Sequence, residues 1–206
     1  MKKVLVIFGT RPEAIKLYPI IKALKKEESI NTKVCITAQH RSMLDDVLKL
    51  FNISPDYDLD IMQESQDLFS ISTNILIKLR PILEDFNPDL ILVHGDTTTT
   101  FISALAGFYF KIKIAHIEAG LRTFDKYNPF PEEINRELTT KLATYHFAPT
   151  KLAYKNLLAD GVKRQNIRIV GNSVIDTLKL TLNKIKQDKK YRENLIFSMG
   201  GGRLAL

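Results

Sequence analysis

Short aliphatic runs alternate with longer amphipathic stretches along almost the whole chain, and this alternation limits the possible folds more than any other feature. KVLVIFG (3–9) precedes a stretch from Pro12 to Lys26, where Ala14, Leu17, Tyr18, Ile21 and Leu24 recur on one face with a 3.6-residue period. The order then repeats: TKVCIT (32–37) before 42–51, YDLDIM (57–62) before 67–86, and DLILVHG (89–95) before 98–110. It continues with IKIAHIE (112–118) before a loop and a helix at 132–144, YHFAP (145–149) before 151–159, and NIRIVG (166–171) before 174–187. Runs this short, apolar on both faces and separated by helices, read as buried strands of a parallel sheet covered on both sides. The expected fold is a doubly wound α/β domain over residues 1–172, with Pro81 kinking the helix that contains it.

Composition narrows the partners. Hydrophobic residues make up 45% of the 206, enough for a well-buried core. The net charge of +7 is spread over Lys-rich helix faces, with a denser stretch, KIKQDKKYRE, towards the C-terminus. Aromatic and basic residues do not interleave as single-stranded nucleic acid requires, and no recognition-helix motif is present, so an anionic small molecule is the better match. Cys35 stands alone inside KVCIT, which leaves no internal disulfide or zinc cluster and fits a reducing cytoplasm. The N-terminal apolar run is too short for a signal peptide, and no run approaches the ~18 apolar residues of a membrane span. The expectation is a soluble, cytoplasmic protein.

In an open parallel sheet, ligands bind beyond the carboxyl ends of the strands. The residues following the strands are Gly9-Thr10-Arg11, Gln39-His40-Arg41, Gly95-Asp96-Thr97, Glu118-Ala119-Gly120 and Gly171-Asn172-Ser173, whereas the opposite-edge loops KKEESINT and EDFNPD read as plain turns. Functional residue types therefore gather at one edge.

Within FGTRPEAIK, Thr10, Pro12 and Glu13 follow a capping-box pattern that needs no function. Arg11 and Lys16 oppose the helix macrodipole, a placement better suited to a docking anion such as a phosphate. Asp96 follows a buried strand, and with four threonines available to cap the next helix, a catalytic or orienting carboxylate is the favoured reading. Glu118 lies at a strand end and Glu132 in the first turn of the next helix. Carboxylates held together raise one another's pKa, as acid–base chemistry near neutral pH requires. Arg122 and Arg136 serve equally as ion-pair partners within the loop or as holders of ligand oxygens. His116 and His146 lie in strand patterns and read as core residues. G-x-G-x-x-G and Walker motifs are absent, and His94 with Asp96 is too small a set for a metal.

The segments FGTRPEAIKLYPII, TAQHRSMLDDVL, VHGDTTTTFISALAGFY, HIEAGLRT, NPFPEEINRELT and GNSVIDTL resemble, in order and spacing over about residues 1–185, the bacterial non-hydrolysing UDP-N-acetylglucosamine 2-epimerases. The resemblance implies the Rossmann-like N-terminal half of a GT-B-like two-domain fold with its ligand in the interdomain cleft. It implies interconversion of UDP-GlcNAc and UDP-ManNAc by elimination and re-addition of UDP through 2-acetamidoglucal, without metal or cofactor. By motif match, Asp96, Glu118 and Glu132 are the catalytic carboxylates. Arg11, Lys16 and Arg136 contact the substrate, and Gln39 and His40 line a regulatory UDP-GlcNAc site. A homodimer built on first-domain helices is implied as well.

Residues 173–206 are expected to form a linker helix and the incomplete start of a second domain, because NLIFSMGGGRLAL stands where that domain's first strand and turn belong. A half-cleft leaves one side of the ligand in water, so the chain alone is expected to be nearly or wholly inactive. The competing readings are a hydrolysing 2-epimerase releasing UDP and ManNAc, a GT-B-like glycosyltransferase, and a non-catalytic half-domain.

Overall fold

A computed structural model describes residues 1–38, 41–62 and 67–187. The chain begins with β1 (Lys2–Phe8), whose residues Val4 to Phe8 are all buried. Alternate side chains on such a strand face opposite sides of the sheet. Val4, Val6 and Phe8 accordingly join one core with Ala14, Leu17 and Ile21, while Leu5 and Ile7 join a second with Ile75, Leu79 and Leu83. A core on each side explains why the strands show no polar alternation. Each fully buried Leu or Ile contributes about 1.5–3 kcal/mol relative to exposure.

The order is β1, α1 (Arg11–Lys26), β2 (Ile30–Ile36), α2 (Arg41–Phe51), β3 (Tyr57–Asp58), α3 (Leu68–Phe86), β4 (Leu90–His94) and α4 (Thr98–Tyr109). It continues with β5 (Lys113–Ile117), α5 (Glu132–Leu142), β6 (Tyr145–Ala148), α6 (Lys151–Ala159), β7 (Ile167–Ile169) and α7 (Val174–Gln187). Among the described residues one seven-stranded sheet forms, ordered β3-β2-β1-β4-β5-β6-β7, and every pairing is parallel. The expected doubly wound fold is what the chain adopts. The strand order reverses between β1 and β4, so the loops leaving these two strands flank the topological switch point where ligands bind in this class.

One detail differs from the sequence reading. The expected strand 57–62 pairs only at Tyr57 and Asp58. Asp60 turns to φ 42°, which interrupts the extended run, although Leu59 and Ile61 still bury their side chains. Helix α3 runs without interruption from Leu68 to Phe86 with Pro81 inside it. At the far end, α7 rests on α1, where the Thr177 hydroxyl donates to the Ile15 carbonyl at 2.6 Å.

Candidate active site

The chain leaves β1 through Gly9, where a Cβ would lie 2.2 Å from Thr37 Oγ1 and 2.5 Å from Thr99 Oγ1. A side chain at this crossing would have to displace both threonines. Thr10 then caps α1, and Glu13 reaches back to accept from the Thr10 amide at 2.8 Å, the acidic half of the expected capping box. Arg11 opens the helix, exposed, and has no ion-pair partner among the described residues. Lys16, one turn on, is engaged: its Nζ lies 2.7 Å from both carboxylate oxygens of Glu118. The side chains of this pair are only 25% and 13% exposed, so each charge depends on the other for compensation.

Glu118 follows β5 directly, in the left-handed region at φ 63°. Asn172, after β7, donates to Glu118 Oε1 at 3.3 Å. His94, the last residue of β4, brings Nε2 to 3.6 Å from Glu118 Oε2, too far for a hydrogen bond. Burial, with help from the Lys16 charge, pushes the His94 pKa down to about 3, so the imidazole beside Glu118 is neutral.

Asp96 follows the β4 turn. Its carboxylate meets Arg136 at 2.6 Å, and its carbonyl accepts from Asn135 Nδ2 at 2.9 Å, which ties the β4–α4 loop to the first turns of α5. Arg136 also contacts the buried Glu133 at 3.1 Å. Glu133 in turn accepts from the Thr123 and Phe124 amides, both at 3.1 Å, and so holds the long β5–α5 loop against its helix. Of the two arginines left open by the sequence, Arg122 is structural: it is buried and bonds to Asp160, Thr140 and the Leu121 carbonyl. Arg136 stands beside the candidate carboxylate. His116 and His146 are core residues as expected, each donating its Nε2–H to a backbone carbonyl, that of Gly95 and that of Thr140 respectively.

Glu132 is the first residue of α5. It lines a cavity of about 380 Å³ together with Arg11, Pro12, Thr97, Met43 and Leu68. Glu118 and His94 open instead on a second cavity of about 380 Å³, largely apolar and bounded by Ile20, Leu92, Ile117 and Asn172. The three carboxylates thus share one sheet edge, but Glu132 and Glu118 line different chambers, with the Asp96–Arg136 pair attached to the α5 side. Among the described residues no group of three His, Cys, Asp or Glu is placed to hold a metal. Gln39 and His40 lie outside the described residues.

With this geometry, the sequence matches the family model of UDP-N-acetylglucosamine 2-epimerase over residues 22–205. The chain belongs to the UDP-N-acetylglucosamine 2-epimerase family. It is 51% identical over 200 residues to the UDP-N-acetylglucosamine 2-epimerase of Campylobacter jejuni, covering 97% of this chain and 52% of that protein. It superimposes on the Neisseria meningitidis UDP-GlcNAc 2-epimerase bound to UDP-GlcNAc with a TM-score of 0.89 at 53% identity, covering 95% of this chain and 53% of that one. For the Methanocaldococcus jannaschii epimerase in complex with UDP-GlcNAc and UDP the TM-score is 0.82 at 40% identity, covering 91% and 51%. The chain therefore spans about half the length of the epimerases it matches, and has the fold of one half of their GT-B-like structure.

Family membership leaves the local chemistry to be read from the chain itself. Glu133 and Asn135 shape the site without a role assigned from the sequence, where Asn172 was placed only among the residues following the strands and His94 only weighed, and rejected, as a metal ligand. Asn135 had a usable signal, because it lies three residues after Glu132 and so on the same side of α5. The engagement of Glu118 by Lys16 had none, since 102 residues separate them.

Proposed function

We propose that this chain supplies the acid–base wall of a UDP-GlcNAc 2-epimerase. The observation that carries the reading is the pairing of opposite charges at the switch point: Lys16 on Glu118, Arg136 on Asp96, and Arg11 lining one cavity with Glu132. A diphosphate needs the cations, and proton transfer at carbon needs the carboxylates.

The C2 proton of the sugar is too weakly acidic to leave by itself. As a carboxylate takes it, the C1–O bond breaks, its electron pair departs on the β-phosphate oxygen of UDP, and the C–H electrons form the C1=C2 bond of 2-acetamidoglucal. Return of a proton to the opposite face of C2 and of the UDP oxygen to C1 gives UDP-ManNAc. Asp96, Glu118 and Glu132 are the acid–base groups of this reading, and Arg11, Lys16 and Arg136 the contacts that stabilise charge on the leaving diphosphate. Gln39 and His40 are assigned to a regulatory UDP-GlcNAc contact. The reading carries with it a cytoplasmic location, no nucleic-acid partner, and a homodimer formed through helices such as α3, whose Phe69 and Ile77 are exposed.

The test is epimerisation in deuterated water, by the chain alone and by the chain mixed with the second half of a relative. Conversion of UDP-GlcNAc to UDP-ManNAc with deuterium entering at C2 is expected of the mixture, with little or none from the chain alone. Release of free ManNAc in place of UDP-ManNAc would overturn the reading in favour of a hydrolase.

A further inference from the structure

Glu13 does more than its place in a capping pattern requires. A capping glutamate binds the N-cap amide from the helix surface and remains solvated. Glu13 is 3% exposed. Its Oε2 accepts from the Gly9 amide at 2.9 Å, the Thr10 amide at 2.8 Å and the Thr10 hydroxyl at 2.9 Å. Its Oε1 turns the other way, to the Thr97 hydroxyl at 2.8 Å and the Thr100 hydroxyl at 3.1 Å. Among the described residues no cation pairs with it, so neutral donors from two separate loops provide all its compensation.

Those two loops are the ones that flank the switch point. Gly9 and Thr10 precede Arg11 directly, and Thr97 follows Asp96 directly. The one Thr100 hydroxyl proton goes to the His94 carbonyl at 2.5 Å, which leaves Thr97 as the donor to Oε1 and extends the polar layer into β4. Beside it, the Thr37 and Thr99 hydroxyls meet at 2.9 Å over Gly9, so β2 joins the same polar layer.

We propose that Glu13 is a positioning residue that clamps the β1–α1 loop to the β4–α4 loop and so fixes the separation of Arg11 from Asp96. The catalytic consequence rests on the functional reading above; the clamp itself does not. The physical logic is that a carboxylate with each oxygen held by donors from a different loop cannot rotate without breaking several bonds at once, so the loops it joins move as one body. Preorganisation of this kind acts on the chemical step more than on ground-state binding.

The discriminating variant is Thr97→Val, which cuts the far end of the clamp and leaves the Gly9 and Thr10 contacts in place. Thr97 also caps α4, so Thr150→Val serves as control: Thr150 caps α6 in the same way and is remote from Glu13. Hydrogen exchange on the chain itself is the first readout. Loss of one bond to a charged acceptor is expected to accelerate exchange at the Gly9 and Thr10 amides about tenfold in Thr97→Val. Thr97→Ser should restore the wild-type rate, and Thr150→Val should leave those two amides unchanged. Unchanged exchange at Gly9 and Thr10 in Thr97→Val overturns the clamp. The second readout is turnover by the chain mixed with the second half of a relative, where kcat should fall about tenfold with KM altered less than about twofold. Equal rises in KM with kcat unchanged would also overturn it. Absence of turnover by the wild-type mixture tells against the functional reading, while exchange still decides the clamp.

Discussion

At Glu118 the local structure makes a strong energetic claim. A carboxylate 13% exposed sits under a lysine 25% exposed, with a neutral histidine behind it, so little but Lys16 and Asn172 balances its charge. Removing one partner of a mostly buried pair leaves the other uncompensated, which costs about 3 kcal/mol, whereas replacing both with neutral groups of similar shape costs far less. Lys16→Met and Glu118→Gln are each expected to lower the urea midpoint clearly, and the double variant to recover much of the loss. A double-mutant cycle should return a coupling of about 2 kcal/mol; additive losses would show that the pair contributes nothing specific. The same pairing bears on function. Lys16 cannot stay fully on Glu118 while meeting a diphosphate, so the residue read from sequence as an anion contact is held, without ligand, by one of the carboxylates it would serve.

Helix α4 sets the geometry of the β4 side and does so through close approach. A Cβ on Gly107 would lie 2.6 Å from Ile114 Cδ1 and 2.7 Å from Ile91 Cδ1, so the helix lies directly on β4 and β5 and a methyl group there must push both isoleucine side-chain ends aside. Gly107→Ala gains helix propensity of up to ~1 kcal/mol but overpacks the interface at a cost of about 1–3 kcal/mol. The expected net result, measured by thermal unfolding, is destabilisation. This contact also marks where the sequence was legible and where it was not. The start of α4 was readable because Thr97 supplies its cap and the apolar run of β4 ends just before, and the same held for α6 after Thr150. The edge strand β3 was overcalled because YDLDIM carries a strand-like pattern, while the break depends on a left-handed Asp60 that alternation does not reveal. The edge of the sheet that bears the site was readable from residue types after each strand. The division of its carboxylates between two chambers was not, because side-chain direction beyond the strand ends is set by partners 40 to 102 residues away.

Across the whole sheet, three neighbouring strands each carry a buried histidine: His94 on β4, His116 on β5 and His146 on β6. Burial lowers the pKa of all three, to about 3 for His94 and His116, while the unfolded chain takes up protons near pH 6.5. Between those values the unfolded state binds more protons than the native one, so stability rises with pH through this window and falls on acidification. The Nδ1 atoms of all three lack a hydrogen-bond partner among the described residues. Glu13 acts in the opposite sense, because burial raises its pKa and native protonation below that value offsets part of the loss. The carboxylates whose pKa values are lowered by hydrogen bonds, Glu27, Asp67 and Asp89, begin to matter only at more acid pH. From pH 6 to pH 5 the histidines should therefore dominate, each contributing a slope approaching about 1.4 kcal/mol per pH unit. Urea unfolding across this range should show stability declining steadily below pH 6.5, and His116→Asn should flatten the slope by about one histidine's share. A pH-independent free energy between 6.5 and 5 would mean that these side chains are hydrated and titrating in the native state, contrary to their burial in the sheet.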